Sequence, residues 1–243
     1  MHEMNLRDRA ALSVWFPLLL RSGVEVPETR IVTTTLPIIQ FAYGEPVPGI
    51  ESLFADIEKA AIELGGFPCF LRTGHGSDKH CWRDTCFVPT AADIRDHVFA
   101  ISEWSQLVDM MGLPVQEWVV RKLLPLRSSF TAFRGFPVNV ERRYFIDEGN
   151  VVCSHCYWPK FAVEEGRPVD PQWEAKLDAM NEQSAEEQAL LTTLSEKVAA
   201  EFRGTGSWSL DLALADDGLW YAIDMAPAAV SYHWPGCQVT FAK

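Results

Sequence analysis

A chain of 243 residues, 48% of them hydrophobic, can bury one large domain or two packed subdomains with a real core. No apolar run reaches membrane-spanning length, the longest being Val14 to Leu20, and a net charge of −12 argues against an extended nucleic-acid surface, which needs a basic stripe. Six irregularly spaced cysteines and an N-terminus without a basic-then-apolar leader, Met1 to Asp8, fit a reduced, cytoplasmic protein better than a disulfide scaffold.

In chain order, residues 6–22 read as a helix, with Leu12, Trp15, Phe16 and Leu19 at helical spacing and Gly23 as its stop. A strand over Thr29 to Val32 and a Pro/Gly-rich loop, Tyr43 to Gly49, lead to a second helix over 51–64, closed by Gly65-Gly66. Pro68 to Thr73 reads as a strand entering the loop Gly74-His75-Gly76-Ser77-Asp78-Lys79. Residues 90–111 are helical in pattern, and Pro114 to Arg121 looks like a buried strand. Val138 to Phe145 and Val151 to Tyr157 make a hairpin around Asp147-Glu148-Gly149-Asn150, and one long helix is expected over 172–202. Helices mixed with antiparallel hairpins predict an α+β protein, with N-terminal and middle subdomains over 1–113 and a C-terminal subdomain over 114–243.

The last hairpin carries the strongest chemical signal. Ser207 to Leu214 and Leu219 to Ala226 both alternate as half-buried strands, and Asp217-Gly218 is a two-residue turn signal. Folding about that turn opposes Leu210 to Met225, Leu212 to Ile223 and Leu214 to Tyr221 on one face. The other face opposes Ser209 to Ala226, Asp211 to Asp224 and Ala213 to Ala222. Like charges roughly 5 Å apart on a sheet repel. A divalent cation relieves that, and hard oxygen donors suit Mg²⁺. The alternative is a solvated acidic face.

Three further segments could serve an anionic ligand, and the middle of the chain is locally basic through Arg121, Lys122, Arg127, Arg134, Arg142 and Arg143. Glycines 74 and 76 with Arg72 and Lys79 could cradle phosphates, or form an ordinary polar turn. In Gln116-Glu117-Trp118-Val119-Val120, the carboxylate could accept the exocyclic amine of adenine, or simply begin a buried strand. In Glu141-Arg142-Arg143-Tyr144-Phe145, Arg143 shares a face with Glu141 and Phe145. It is either a phosphoryl-binding arginine held by a carboxylate or half of a cross-strand salt bridge. Cys153-Ser154-His155-Cys156 is a Cys-x-x-Cys, but on a strand its thiols point to opposite faces and cannot easily share a metal. His75, His80, Cys81 and Cys86 are too loosely spaced for zinc, so the cysteines are expected to be half-buried thiols.

Taken in order, Arg72 with Ser77-Asp78-Lys79, Val120-Arg121-Lys122, Glu141 to Phe145 and Ser207 to Pro227 resemble the layout of ATP-grasp proteins. Within them the chain is most similar to the cell-division-cycle-type chaperones that assemble a translation initiation factor, and to related phage and bacterial proteins. The resemblance covers about residues 67–235. It implies that Arg72 and Lys79 hold the α- and β-phosphates, and that Glu117 with the backbone of Trp118 and Val119 binds adenine. Arg121 and Arg143 would bind the β/γ-phosphates, and Asp211 and Asp224 would hold Mg²⁺. Lys79, Arg121 and Arg143 are then the catalytic set of an ATP-dependent carboxylate–amine ligase acting through an acyl phosphate. The alternative it implies is an ATP-binding assembly chaperone or adaptor with little turnover and a protein partner. The chain departs from the family at Ala226, where an amide or acid usually follows the second metal carboxylate. Substrate contacts, for an unknown carboxylate and amine, are expected among His155, Tyr157, Lys160, Tyr232 and His233.

Overall fold

The computed structural model describes residues 9–108, 110–235, 237 and 241; the N-terminal stretch 1–8 lies outside them. Its elements are α1 (Leu12–Arg21), β1 (Thr29–Thr33), α2 (Ile38–Ala42), α3 (Ile50–Glu63), β2 (Cys69–Thr73), β3 (Phe87–Val88), α4 (Ile94–Leu107), β4 (Glu117–Lys122), β5 (Ser128–Ala132), β6 (Phe136–Asn139), β7 (Glu141–Asp147), β8 (Asn150–Cys156), α5 (Lys160–Glu165), α6 (Trp173–Asn181), α7 (Ala185–Glu201), β9 (Ser207–Leu214) and β10 (Trp220–Pro227). Helices with wholly antiparallel pairing bear out the α+β class. No helix among the described residues is long and apolar enough to cross a membrane.

The chain forms two compact units. One comprises residues 27–124 and 133–136, the other 1–26, 125–132 and 137–243. The boundary expected at 113/114 differs because β4 is central to the first unit's sheet, ordered β1-β4-β2-β3. A strand paired on both sides cannot be parted from its neighbours cheaply. The side of this sheet bearing Cys69, Leu71, Trp118 and Val120 packs with Ile38, Phe54, Ile57, Val98 and Ile101 into one apolar core. That burial follows from the helical spacing of apolar residues in α3 and α4.

The other unit is built on a sheet ordered β10-β9-β7-β8. Tyr144, Ile146, Leu210 and Leu212 are buried, as are Leu191, Val198 and Ala199 of α7. Arg142 also points to this helical side. It pairs with Glu187 at 3.0 Å and donates to the carbonyls of Met180 and Glu182 at 2.9 and 3.0 Å. Those carbonyls sit where the long helix expected over 172–202 is broken into α6 and α7. Ser184 causes the break by capping α7, its hydroxyl accepting from the Glu187 amide at 3.1 Å. Ser184→Ala should therefore cost about 1 kcal/mol, a midpoint drop of roughly 2–4 °C in thermal unfolding.

Hairpin geometry departs from the sequence reading at the site itself. The Asp217-Gly218 turn is a three-residue loop, closed by the Ala215 amide donating to Leu219 O at 2.9 Å, with Gly218 at φ 84°. The extra loop residue opposes Trp220 to Leu214, Tyr221 to Ala213 and Ala222 to Leu212, one step away from the expected pairs. A β-bulge at Ile223 shifts the register back, so Asp224 does oppose Asp211, Met225 Leu210 and Ala226 Ser209. The expected strand over 138–145 is likewise two strands: β6 pairs with β5, and β7 begins at Glu141.

Candidate nucleotide site

In the unit built on β7–β10, four polar side chains form one row across all four strands. His155 of β8 opposes Arg143 of β7, Arg143 opposes Asp211 of β9, and Asp211 opposes Asp224 of β10. Arg143 grips Asp211 through two parallel bonds, Nε to Oδ1 at 2.7 Å and a terminal nitrogen to Oδ2 at 2.8 Å. Both side chains are nearly buried, 12% and 8% exposed. The guanidinium lies over the Tyr157 ring, 4.6 Å from its centroid. Burial opposes the charge on Arg143, but Asp211, Tyr157 and Asp224 outweigh it and hold its pKa above the ordinary value. The ion pair is thus the cross-strand bridge that the sequence left as one of two readings, and its carboxylate comes from Asp211.

Two aspartates on adjacent strands offer the hard oxygens that Mg²⁺ takes. A carboxylate has about four acceptor sites, and Arg143 occupies two of those on Asp211. Asp224 accepts from the Met225 amide at 3.0 Å through Oδ1. The donor set fits Mg²⁺. Beside it Ala226 opposes Ser209, whose hydroxyl pairs with that of Ser231 at 2.7 Å.

The other unit gathers four of the remaining expected residues on one sheet face. In the β1-β4-β2 register, Thr33 opposes Glu117, Ile31 opposes Val119, and Thr29 opposes Arg121. On the other side Arg72 opposes Val119, and Phe70 opposes Arg121. Side chains alternate along a strand, so Arg72, Glu117, Val119 and Arg121 all face away from the core formed by Leu71, Trp118 and Val120. Arg72 and Arg121 are buried despite their charge. One expectation fails here. Trp118 and Val119 sit in a strand bonded on both sides, so their backbone groups are spent within the sheet, and the Trp118 side chain belongs to the core.

The loop after β2 is shaped by its own packing. The Thr73 hydroxyl accepts from the His75 and Gly76 amides at 3.3 and 3.1 Å, and the Gly74 amide donates to Glu117 O at 2.9 Å. A methyl on Gly74 would overlap the Glu117 carboxylate, and one on Gly76 the Trp104 indole. The close approach permitted by these glycines is therefore to neighbouring side chains of the same unit. Gly76→Ala should destabilise by about 1–3 kcal/mol, measured by chemical denaturation. Lys79 opens a 3₁₀ turn, Lys79–Cys81, with its amine 5.8 Å from the Phe136 ring centroid.

Of the expected substrate contacts, His155, Tyr157 and His233 gather near Arg143. Burial and then Arg143 hold His233 below the usual histidine range. Burial likewise lowers His155, against the opposing pull of the Cys156 carbonyl. Lys160 is instead paired with Glu174, and Tyr232 packs edge-on to Phe161. Cys156 and Cys153 do point apart, as expected. Cys156 donates to Asn181 O, whereas Cys153 is joined to Cys237, a pairing that corrects the expectation of unpaired thiols.

A family model for the ATP-grasp domain, that of its clade family 3, matches residues 63–241. Among curated proteins, no sequence matches this chain. Among solved structures, C-terminally truncated Cdc123 from Schizosaccharomyces pombe superposes at a TM-score of 0.55 and 16% identity, over 92% of this chain and 85% of that one. N5-carboxyaminoimidazole synthase from Aspergillus clavatus, solved with ADP and 5-aminoimidazole ribonucleotide, gives 0.50 and 14%, over 91% of this chain and 45% of that one. Identities this low speak for the fold alone, whereas the family match takes in both sheets' site-bearing strands from β2 onward, and by it the chain belongs to the ATP-grasp domain family.

Proposed function

We propose that the protein binds Mg-ATP and acts as an ATP-dependent carboxylate–amine ligase. The observation that carries this reading is the row Arg143–Asp211–Asp224, in which a guanidinium and two carboxylates are held on adjacent strands. Asp211 and Asp224 would hold Mg²⁺, which supplies charge neutralisation at the terminal phosphates. Arg143 keeps Asp211 ionised and oriented, and its charge is placed to stabilise a transferring phosphoryl group.

In the other unit, Val119 and Ile31 would offer an apolar floor for the base, and the Glu117 side chain would accept from the exocyclic amine. Arg72, Arg121 and Lys79 would serve the phosphates. A carboxylate substrate would take the γ-phosphoryl group, and an amine would then displace phosphate from the acyl phosphate. None of the named residues need act as a covalent nucleophile; they position and stabilise charge.

Ala226 favours a second reading, an ATP-binding adaptor that holds nucleotide and turns it over slowly. A methyl stands there across from Ser209, where the family resemblance implies a further ligand. Equilibrium binding of ATP with Mg²⁺, and with EDTA in its place, tests the common part. Binding that needs the metal supports it; equal binding without metal removes the aspartates from it. ADP release against a panel of carboxylate and amine pairs then separates ligase from adaptor.

A further inference from the structure

A second cluster of donors lies on the same face of the same sheet, and its chemistry differs from that of the aspartates. Cys153 and His155, two residues apart on β8, share a face. Cys153 opposes Phe145, in the row next to that of Arg143 and His155. The segment after β10 returns across this face. His233 packs on Phe145 with ring centroids 3.5 Å apart, and Cys237 meets Cys153. The Cys153 Sγ, a His233 ring nitrogen and the Cys237 Sγ all lie within 4.8 Å of one another.

The imidazoles are the unexplained part. Among the described residues, neither ring nitrogen of His233 has a partner, although both are buried, and the same holds for Nε2 of His155. The His155 Nδ1 faces the Cys156 carbonyl at 2.7 Å, which places its proton on that side and leaves Nε2 with a lone pair. A backbone carbonyl on the far nitrogen is the usual support of a metal-binding histidine. His155 and His233 have ring centroids 6.0 Å apart. A disulfide alone uses none of these nitrogens.

We propose that Cys153, His233 and Cys237, in their dithiol state, form a zinc-binding site, with the fourth position taken by water or His155. Two thiolates and an imidazole are a soft-to-borderline donor set that selects Zn²⁺ over Mg²⁺. Zn–S bonds of ~2.3 Å and Zn–N bonds of ~2.0–2.1 Å put tetrahedral ligand atoms roughly 3.5–3.9 Å apart, within the span observed here. His233-x-x-x-Cys237 provides a local pair and β8 the distant ligand, the division found in small zinc sites. Metal and disulfide are alternative states of one sulfur pair. Either one ties the segment after β10 to β8 beside Arg143. The site lies within a single unit and does not depend on the nucleotide reading.

The test uses the full chain, reduced with a phosphine and freed of metal, with Co²⁺ alone as the probe. A thiolate-to-cobalt charge-transfer band with intense visible bands, saturating at one equivalent and bleached by Zn²⁺, is the expected result. Cys153→Ser and Cys237→Ser should abolish it, and His233→Ala should weaken binding at least about tenfold. Cys156→Ser should leave it unchanged, and circular dichroism reports whether each variant is folded. No such band in the reduced chain, a band that survives Cys153→Ser, or two thiols that stay uncounted after reduction would each overturn the proposal.

Discussion

Asp224→Asn is expected to weaken Mg-ATP binding on the order of 100-fold, ~2.8 kcal/mol, with the unfolding midpoint unchanged in the absence of ligand. Asp211→Asn should differ. Its loss also leaves Arg143, 12% exposed, without the carboxylate that takes both of its bonds, so the variant should lose binding and stability together. Calorimetric titration with Mg-ATP beside ligand-free thermal unfolding separates the two. Equal behaviour of the two variants would mean that the aspartates are not divided between holding metal and anchoring the arginine. Unchanged affinity in Asp224→Asn would remove the metal assignment.

The second large effect is on Arg143. Arg143→Ala should destabilise the fold by about 3–5 kcal/mol, because a carboxylate would be left nearly buried without its partner. Most of that is the cost of an unpaired charge. Replacing both partners by apolar residues, Arg143→Met with Asp211→Leu, should therefore recover much of the loss while abolishing nucleotide binding. Arg143→Lys keeps the charge but cannot form two parallel bonds, and should fall between wild type and alanine. Denaturant unfolding of the four chains, completing the cycle with Asp211→Leu, measures the coupling. An additive cycle would show that the bidentate geometry contributes nothing beyond the single substitutions.

Some of this was legible in the sequence, and the reasons are local. Alternation placed Asp211 opposite Asp224, yet the structure reaches that pair by two departures that cancel: a three-residue loop moves the register one way and the bulge at Ile223 moves it back. Alternation also put Arg143 on the face shared with Glu141 and Phe145. Its partner could not be read, because Arg143 and Asp211 are 68 residues apart and meet only through the β7–β9 pairing. The break before α7 was readable in Ser184-x-x-Glu187, a capping pattern outweighed by the long run of helix-forming residues around it. That β4 is central, which excludes its backbone from a ligand, depends on pairing with β1 and β2 from both sides. The meeting of Cys153 with Cys237, 84 residues on, is likewise a product of tertiary structure.

The most direct measurement is thermal unfolding with saturating Mg-ATP, beside Mg²⁺ alone and ATP with EDTA. Ligand at a hundred times its dissociation constant stabilises by ~2.7 kcal/mol, which for a chain of this size raises the midpoint by roughly 5–10 °C. A rise that requires metal and nucleotide together is the expected result. No shift at millimolar Mg-ATP would contradict it, and would leave the Arg143–Asp211–Asp224 row to another ligand.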